Sequence, residues 1–203
     1  SQLKSRRLIN LDSEEEGILT VGCAGGLNAE IRMPNKWMEA EGIQCTLSVE
    51  GCQGGHSGTE IDKGRANAIL TAGRALSRLA ERAEFGISHI EGGEAHNAIP
   101  KSCRVSLLVD ESQLEEARDC AAQVEKELRA EYAGVDGEIR LVFSVGEKAT
   151  GRMLSFQAME KLLFLLCEIP DGVLRMSPDI PGLVQTSLNL GVIKMNERET
   201  YVG

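Results

Sequence analysis

Aromatic residues make up only 3% of this 203-residue chain, with a single Trp. That scarcity excludes a platform of stacked rings for single-stranded nucleic acid. Long apolar runs are missing too. The longest, Leu162 to Cys167, falls far short of the roughly 20 residues a membrane helix needs. Histidines number three, and no HExxH, P-loop, CxxC or GxSxG motif occurs. The chain therefore holds no complete zinc, nucleotide or serine-hydrolase site of the usual kinds. Basic residues are outnumbered, 22 Lys and Arg against 31 Asp and Glu, for a net charge of -9 at pH 7. An acidic chain repels phosphate backbones and anionic lipid, so neither nucleic acid nor a membrane is expected as a partner.

What is present is ordinary for a globular protein: 42% hydrophobic and 26% charged residues. The six cysteines (Cys23, Cys45, Cys52, Cys103, Cys120, Cys167) are spread out and unpaired in pattern. That usage predicts free thiols and a cytoplasmic location. The chain starts at Ser1 without a basic-then-apolar leader and stops at Glu-Thr-Tyr-Val-Gly. Both ends read as cut, as in a piece excised from a longer protein.

The hydrophobic period changes along the chain in an informative order. Leu8 to Leu11 and Ile18 to Val21 read as short strands separated by turns. Cys45, Leu47 and Val49 then alternate with polar residues, the period of a half-buried strand. Ile69, Ala72, Leu76, Leu79 and Ala83 lie on one helical face. Phe85 to Ile90 is a short strand, and Cys103, Val105, Leu107 and Val109 alternate as another. Leu114, Ala117, Ala121, Val124 and Leu128 step by three and four, a second amphipathic helix. Ile139, Leu141 and Phe143 close the series. The order β-α-β-β-α-β predicts an α+β fold with a ferredoxin-like antiparallel sheet and both helices on one face. An open edge strand in such a sheet invites pairing with a second copy. After Gly146 the pattern restarts. Met153 to Leu166 reads as a helix too apolar to lie on the surface alone, and Leu188 to Met195 as a strand, a partial second α/β half. The expected units are 1–42, 43–147 and 148–203.

Few residues carry candidate chemistry. His56 lies in Gly54-Gly55-His56-Ser57-Gly58 between a strand and a helix, where it could bind a carboxylate or a developing oxyanion. Ser57 and Glu60 also match a helix capping box, so the segment could be a capping turn. Asn97 could donate to a substrate carbonyl or bond its own backbone. Asp12 to Glu16 could supply a metal ligand or be a solvated acidic turn. His89, in strand register with Phe85 and Ile87, reads as structural. Cys45, Cys103 and Cys120 read as core fillers, and Lys63, Arg65 and Arg74 as solvated or paired cations.

Taken in order, several segments carry a resemblance: Leu8-Ile-Asn-Leu-Asp12-Ser-Glu-Glu-Glu-Gly17, Gly22-Cys-Ala-Gly-Gly26, Gly54-Gly-His56-Ser-Gly-Thr-Glu-Ile61 and Gly64-Arg-Ala-Asn-Ala68. Glu91-Gly-Gly93, Asn97-Ala-Ile-Pro100 and Thr186-Ser-Leu-Asn-Leu-Gly191 continue it. The set resembles the aminoacyl-histidine dipeptidases (peptidase D, Xaa-His dipeptidases), which belong to the co-catalytic zinc peptidases. The resemblance implies a catalytic domain holding two zinc ions and an inserted lid that supplies dimer contacts and closes over a dipeptide substrate. This chain resembles that lid, with a stub of catalytic domain at its start. By the resemblance, Asp12 matches a zinc-binding aspartate, His56 the lid histidine that stabilises the tetrahedral intermediate, and Asn97 a lid asparagine that contacts substrate. The family's other zinc ligands and its general-base glutamate have no match here. The implied activity is zinc-assisted hydrolysis of Xaa-His (carnosine-like) dipeptides by a homodimer, with this piece inactive alone and holding no tightly bound zinc. The alternatives are a stand-alone small-molecule-binding or regulatory ferredoxin-like module, or the lid of a related zinc exopeptidase or deacylase.

Overall fold

The computed structural model describes residues 9, 16–18 and 22–203. Asp12 lies outside the described residues, as do nearly all of the two apolar runs that flank it. In chain order the elements are β1 (Ile31–Pro34), β2 (Trp37–Glu50), β3 (Gly55–His56), α1 (Ala68–Ala80), β4 (Phe85–Gly92), β5 (Ala98–Ile99) and β6 (Cys103–Val109). They continue with α2 (Leu114–Glu131), β7 (Arg140–Leu154), α3 (Phe156–Glu168), β8 (Gly172–Met176), β9 (Val184–Leu188), β10 (Ile193–Met195) and β11 (Glu199–Val202).

The alternating strands and amphipathic helices assemble as their periods predict. β4, β6, β2 and β7 lie side by side in that order, every neighbouring pair antiparallel. With α1 and α2 this is the ferredoxin-like arrangement. Leu47 sits opposite Val105 on one side and Phe143 on the other, so one sheet face collects the apolar residues. Ile69, Leu76 and Leu79 of α1 and Val124 and Leu128 of α2 bury into the same cluster as Leu47, Val49, Ile87, Ile90 and Leu107. Cys45, Cys103 and Cys120 join it as small apolar side chains. α1 starts where it does because the Asn67 side chain accepts from the Ile69 and Leu70 amides, capping two of the otherwise unsatisfied N–H groups.

His89 departs from its expected setting. The register of β4 on β6 slips between Ile87 and His89, a β-bulge that reverses the parity of the strand. Ile87 and Ile90 are both fully buried, while the His89 side chain is 43% exposed and lies 3.6 Å from the Glu91 carboxylate. It is a surface residue on the helix-free face, not a core histidine.

Three further strands, β10, β11 and β1, extend the sheet beyond β4 to seven strands. β2 runs across positions 42/43 and β7 across 147/148. The stretch expected as a helix from Met153 begins at Phe156, because Met153 and Leu154 belong to β7, paired with Met38 and Trp37. α3 lies at the surface against α1, burying Leu162 and Leu166 and leaving Phe156 and Phe164 60% and 70% exposed. Glycine at position 73 permits this contact, since a Cβ there would stand 2.7 Å from that of Leu166. The segment 188–195, expected as one strand, is the end of β9 and the whole of β10, with Asn189–Val192 bending between them. β8 and β9 form a separate hairpin.

Candidate functional site

His56 and Asn97 come from segments forty residues apart in sequence, and two short strands bring them together. β3 pairs with β5, placing His56 opposite Ala98, and the Ser57 amide donates to the Asn97 carbonyl at 2.9 Å. Both residues are exposed. Neither the Asn97 amide group nor Nε2 of His56 makes a hydrogen bond among the described residues. The ladder therefore joins the two segments that carry these residues, and both side chains reach the surface.

The His56 loop needs its glycines. Gly54 and Gly55 have φ of +64° and +147°, where side chains are strained. A Cβ on Gly54 would meet the Ile99 carbonyl oxygen at 2.8 Å, and one on Gly55 would fall between the Glu60 carboxylate and the Arg65 guanidinium. The capping box is not formed. The regular helix begins only at Ala68, and Glu60 instead accepts the His56 amide at 2.9 Å. A chain that turns through two positive-φ glycines has no helix for Ser57 to cap, so the glutamate closes the loop on itself. Arg65 ties Glu60 at 3.0 Å and donates to the Gly54 carbonyl, which makes it a structural cation, as its sequence setting suggests. Lys63, hydrogen-bonded to Glu60, and the His56 amide hold the Glu60 carboxyl down to about 2.

The ring of His56 is also oriented. The Gly58 amide donates to Nδ1 at 3.0 Å. A nitrogen that accepts carries no proton, so the neutral ring bears its hydrogen on Nε2. The outward-facing atom is then a donor.

Asn97 sits on a loop held from behind. The Asn189 side chain donates to the carbonyls on both sides of it, His96 at 3.1 Å and Ala98 at 2.9 Å. His96 stands apart from Asn97 chemically, its Nε2 3.3 Å from the Tyr201 hydroxyl. One residue on, the Leu190 amide donates to Asp171 at 2.7 Å and the Leu190 carbonyl accepts from Asn67 at 2.9 Å. Burial pushes the Asp171 carboxyl up, partly offset by its bonds to Leu190 and Asn67. Asn67 thus caps α1 and joins the two loops. Of these supports, Asn67 and Asn189 lie inside motifs that stand out in the sequence, whereas Asp171 carries no local signal. Among the described residues no group of three or more His, Cys, Asp or Glu could hold a metal ion.

Residues 47–136 match the peptidase dimerisation domain. Over 204 aligned residues, 98% of its length, the chain is 30% identical to the cytosol non-specific dipeptidase of Escherichia coli (strain K12). Its structure is similar to the crystal structure of aminoacylhistidine dipeptidase from Vibrio alginolyticus, with a TM-score of 0.79, 29% identity and 99% of this chain covered. The chain spans 41% of the length of each of these relatives. The ferredoxin-like unit thus matches the model of the peptidase dimerisation domain, within a chain whose likeness to two dipeptidases runs nearly from end to end.

Proposed function

We propose that this chain is the lid and dimerisation portion of a zinc-dependent dipeptidase that hydrolyses Xaa-His dipeptides. The observation that supports the reading is the pairing of β3 with β5, which joins the two exposed segments that carry His56 and Asn97. His56 offers its Nε2–H to the oxyanion that develops on the scissile carbonyl. A fixed donor aimed at developing charge needs no reorganisation during the reaction, which is why such groups are effective. Asn97 holds the substrate through its side-chain amide. The described residues do not themselves fit a metal centre. In this reading Asp12 is the chain's single zinc ligand, the remaining ligands of both ions come from the rest of the protein, and the piece alone is inactive. Two copies join through the lid. Among the described residues β7 pairs only with β2 and leaves its other edge open, with Val142 and Val145 exposed. Six free thiols support a reducing, cytoplasmic setting.

The test is His56→Ala in the whole protein, assayed with β-alanyl-histidine. Loss of one oxyanion donor should lower kcat by about 10²–10³ with little change in KM. Hydrolysis at the unaltered rate would overturn the assignment.

A further inference from the structure

The α2–β7 connection places a carboxylate beneath the His56 loop that no motif announces. Asp136 is 1% exposed. One of its oxygens accepts the Gln53 amide at 2.6 Å and the other the Ala66 amide at 2.7 Å. Gln53 and Ala66 bracket the segment 54–65, which contains His56, its glycines and its Glu60–Arg65 brace. Asp136 is itself fixed: its amide donates to Tyr132 at 2.7 Å and its carbonyl accepts from Ile139 at 2.9 Å. The Gln53 side chain also donates to the Val135 carbonyl. No Lys, Arg or His lies within ion-pair distance of Asp136 among the described residues.

A buried carboxylate without a cation is an expensive way to fill space, and an apolar side chain would serve packing better. What a carboxylate does that no apolar group can is accept two N–H groups from two chain segments at once, through charge-assisted bonds. We infer that Asp136 is a positioning residue for His56, clamping both ends of its loop so that the imidazole is presented in one orientation. The inference rests on the reading of His56 as the oxyanion donor. It assigns that orientation to two layers. Asp136 holds the ends of the loop, and Glu60 and Arg65 brace its interior.

The chain has only three histidines, so ring nitrogen resonances of the 15N-labelled protein assign readily. The wild type should show His56 as a single Nε2–H tautomer. In native-state exchange the Gln53, His56 and Ala66 amides should open together, within about twofold of one another, as one cooperative unit. Asp136→Asn keeps the size but can accept only one of the two amides. Exchange at Gln53 or Ala66 should then rise about tenfold or more, and the His56 ring should average over both tautomers, while α2 and the β4–β6 pair keep their protection. If Asp136→Asn does not fold, the wild-type exchange decides: a His56 amide opening independently and more than tenfold faster than Gln53 and Ala66 overturns the inference. So does an Asp136→Asn protein whose His56 ring stays in the wild-type tautomer despite lost protection. In the whole protein the same variant should lower kcat more than it raises KM. Tautomer averaging with undiminished hydrolysis would leave the clamp standing and remove the role assigned to His56.

Discussion

Gly191→Ala isolates how tightly the Asn97 loop is seated. Gly191 has no positive φ, so alanine meets no backbone strain there. It meets a crowd instead: its Cβ would lie 2.7 Å from the Ala95 carbonyl oxygen, 2.8 Å from the His96 Cα and 2.9 Å from the His96 carbonyl oxygen. All three are backbone atoms, which cannot rotate aside. Ordinary contact begins near 3.4 Å, so the loop must retreat by about 0.7 Å or the 190–192 segment must yield. Retreat is opposed by Asn189, bonded to both carbonyls that flank Asn97. Overpacking of this kind costs about 1–3 kcal/mol. For a chain of this size that is a fall in Tm of roughly 3–10 °C. Gly134→Ala is the control, with nothing within 4 Å of the added methyl and no positive φ, and should stay within about 0.5 kcal/mol of wild type. Differential scanning calorimetry reads both. In the whole protein the displaced Asn97 should reduce kcat/KM by about tenfold to a hundredfold, since sub-ångström misplacement of a positioning group is costly. A Gly191→Ala protein that melts within about 1 °C of wild type, with the Asn97 amide resonance unmoved, would refute the close seating on which the site geometry depends.

Two further outcomes follow from the ionisable groups. Glu60 is held down to about 2 from an ordinary 4.5, so its ionised form favours the folded state. That contribution is complete above 4.5 and disappears as pH falls towards about 2. Urea midpoints should show Glu60→Gln less stable than wild type at neutral pH, with the gap closing as acid is added; a gap independent of pH would contradict the Glu60–Lys63–His56 arrangement. Among the thiols, Cys23 and Cys167 are exposed, whereas burial pushes Cys52 and Cys103 up to about 12. A thiol reagent should label two cysteines in the native protein and six in urea, and rapid native labelling of Cys52 or Cys103 would mean that the core opens.

The ferredoxin-like order was legible because each of its elements writes a period. Leu47 and Val49 alternate, Leu76 and Leu79 recur at helical spacing, and burial follows both patterns. The loops that carry the candidates His56 and Asn97 were legible for a different reason: glycines and an Asn before Ile-Pro mark loops, and the motif around each is unusual in composition. The failures share one cause, contacts that leave no periodic trace. A single extra residue in β4 turned His89 outward. Glu60 bonds backward to His56 instead of capping a helix, a choice made by the positive φ of Gly54 and Gly55. Asp136 reaches Gln53 across 83 residues and Ala66 across 70, and one aspartate in a Tyr-Ala-Gly-Val-Asp-Gly turn is indistinguishable from a solvated one until the chain folds.

The energetic logic of the edge bearing His56 and Asn97 separates it from an ordinary surface turn. Fixing backbone costs roughly 1–2 kcal/mol per residue, and glycine loses the most freedom. A connection that only joined β2 to α1 would be shorter and looser. Here the segment between Gln53 and Ala66 is ordered by a buried carboxylate, a half-buried ion pair and a two-residue ladder to β5, and almost none of it buries apolar area: Ile61 is its one core residue. Residues 95–98 are ordered in the same way by Asn189. The hydrogen bonds are spent largely on the backbone, while Nε2 of His56 and the carboxamide of Asn97 have no partner among the described residues. Net gains of about 1 kcal/mol per hydrogen bond roughly offset such ordering and no more. The arrangement therefore adds little to stability, and what it does supply is two ordered backbone segments from which His56 and Asn97 project.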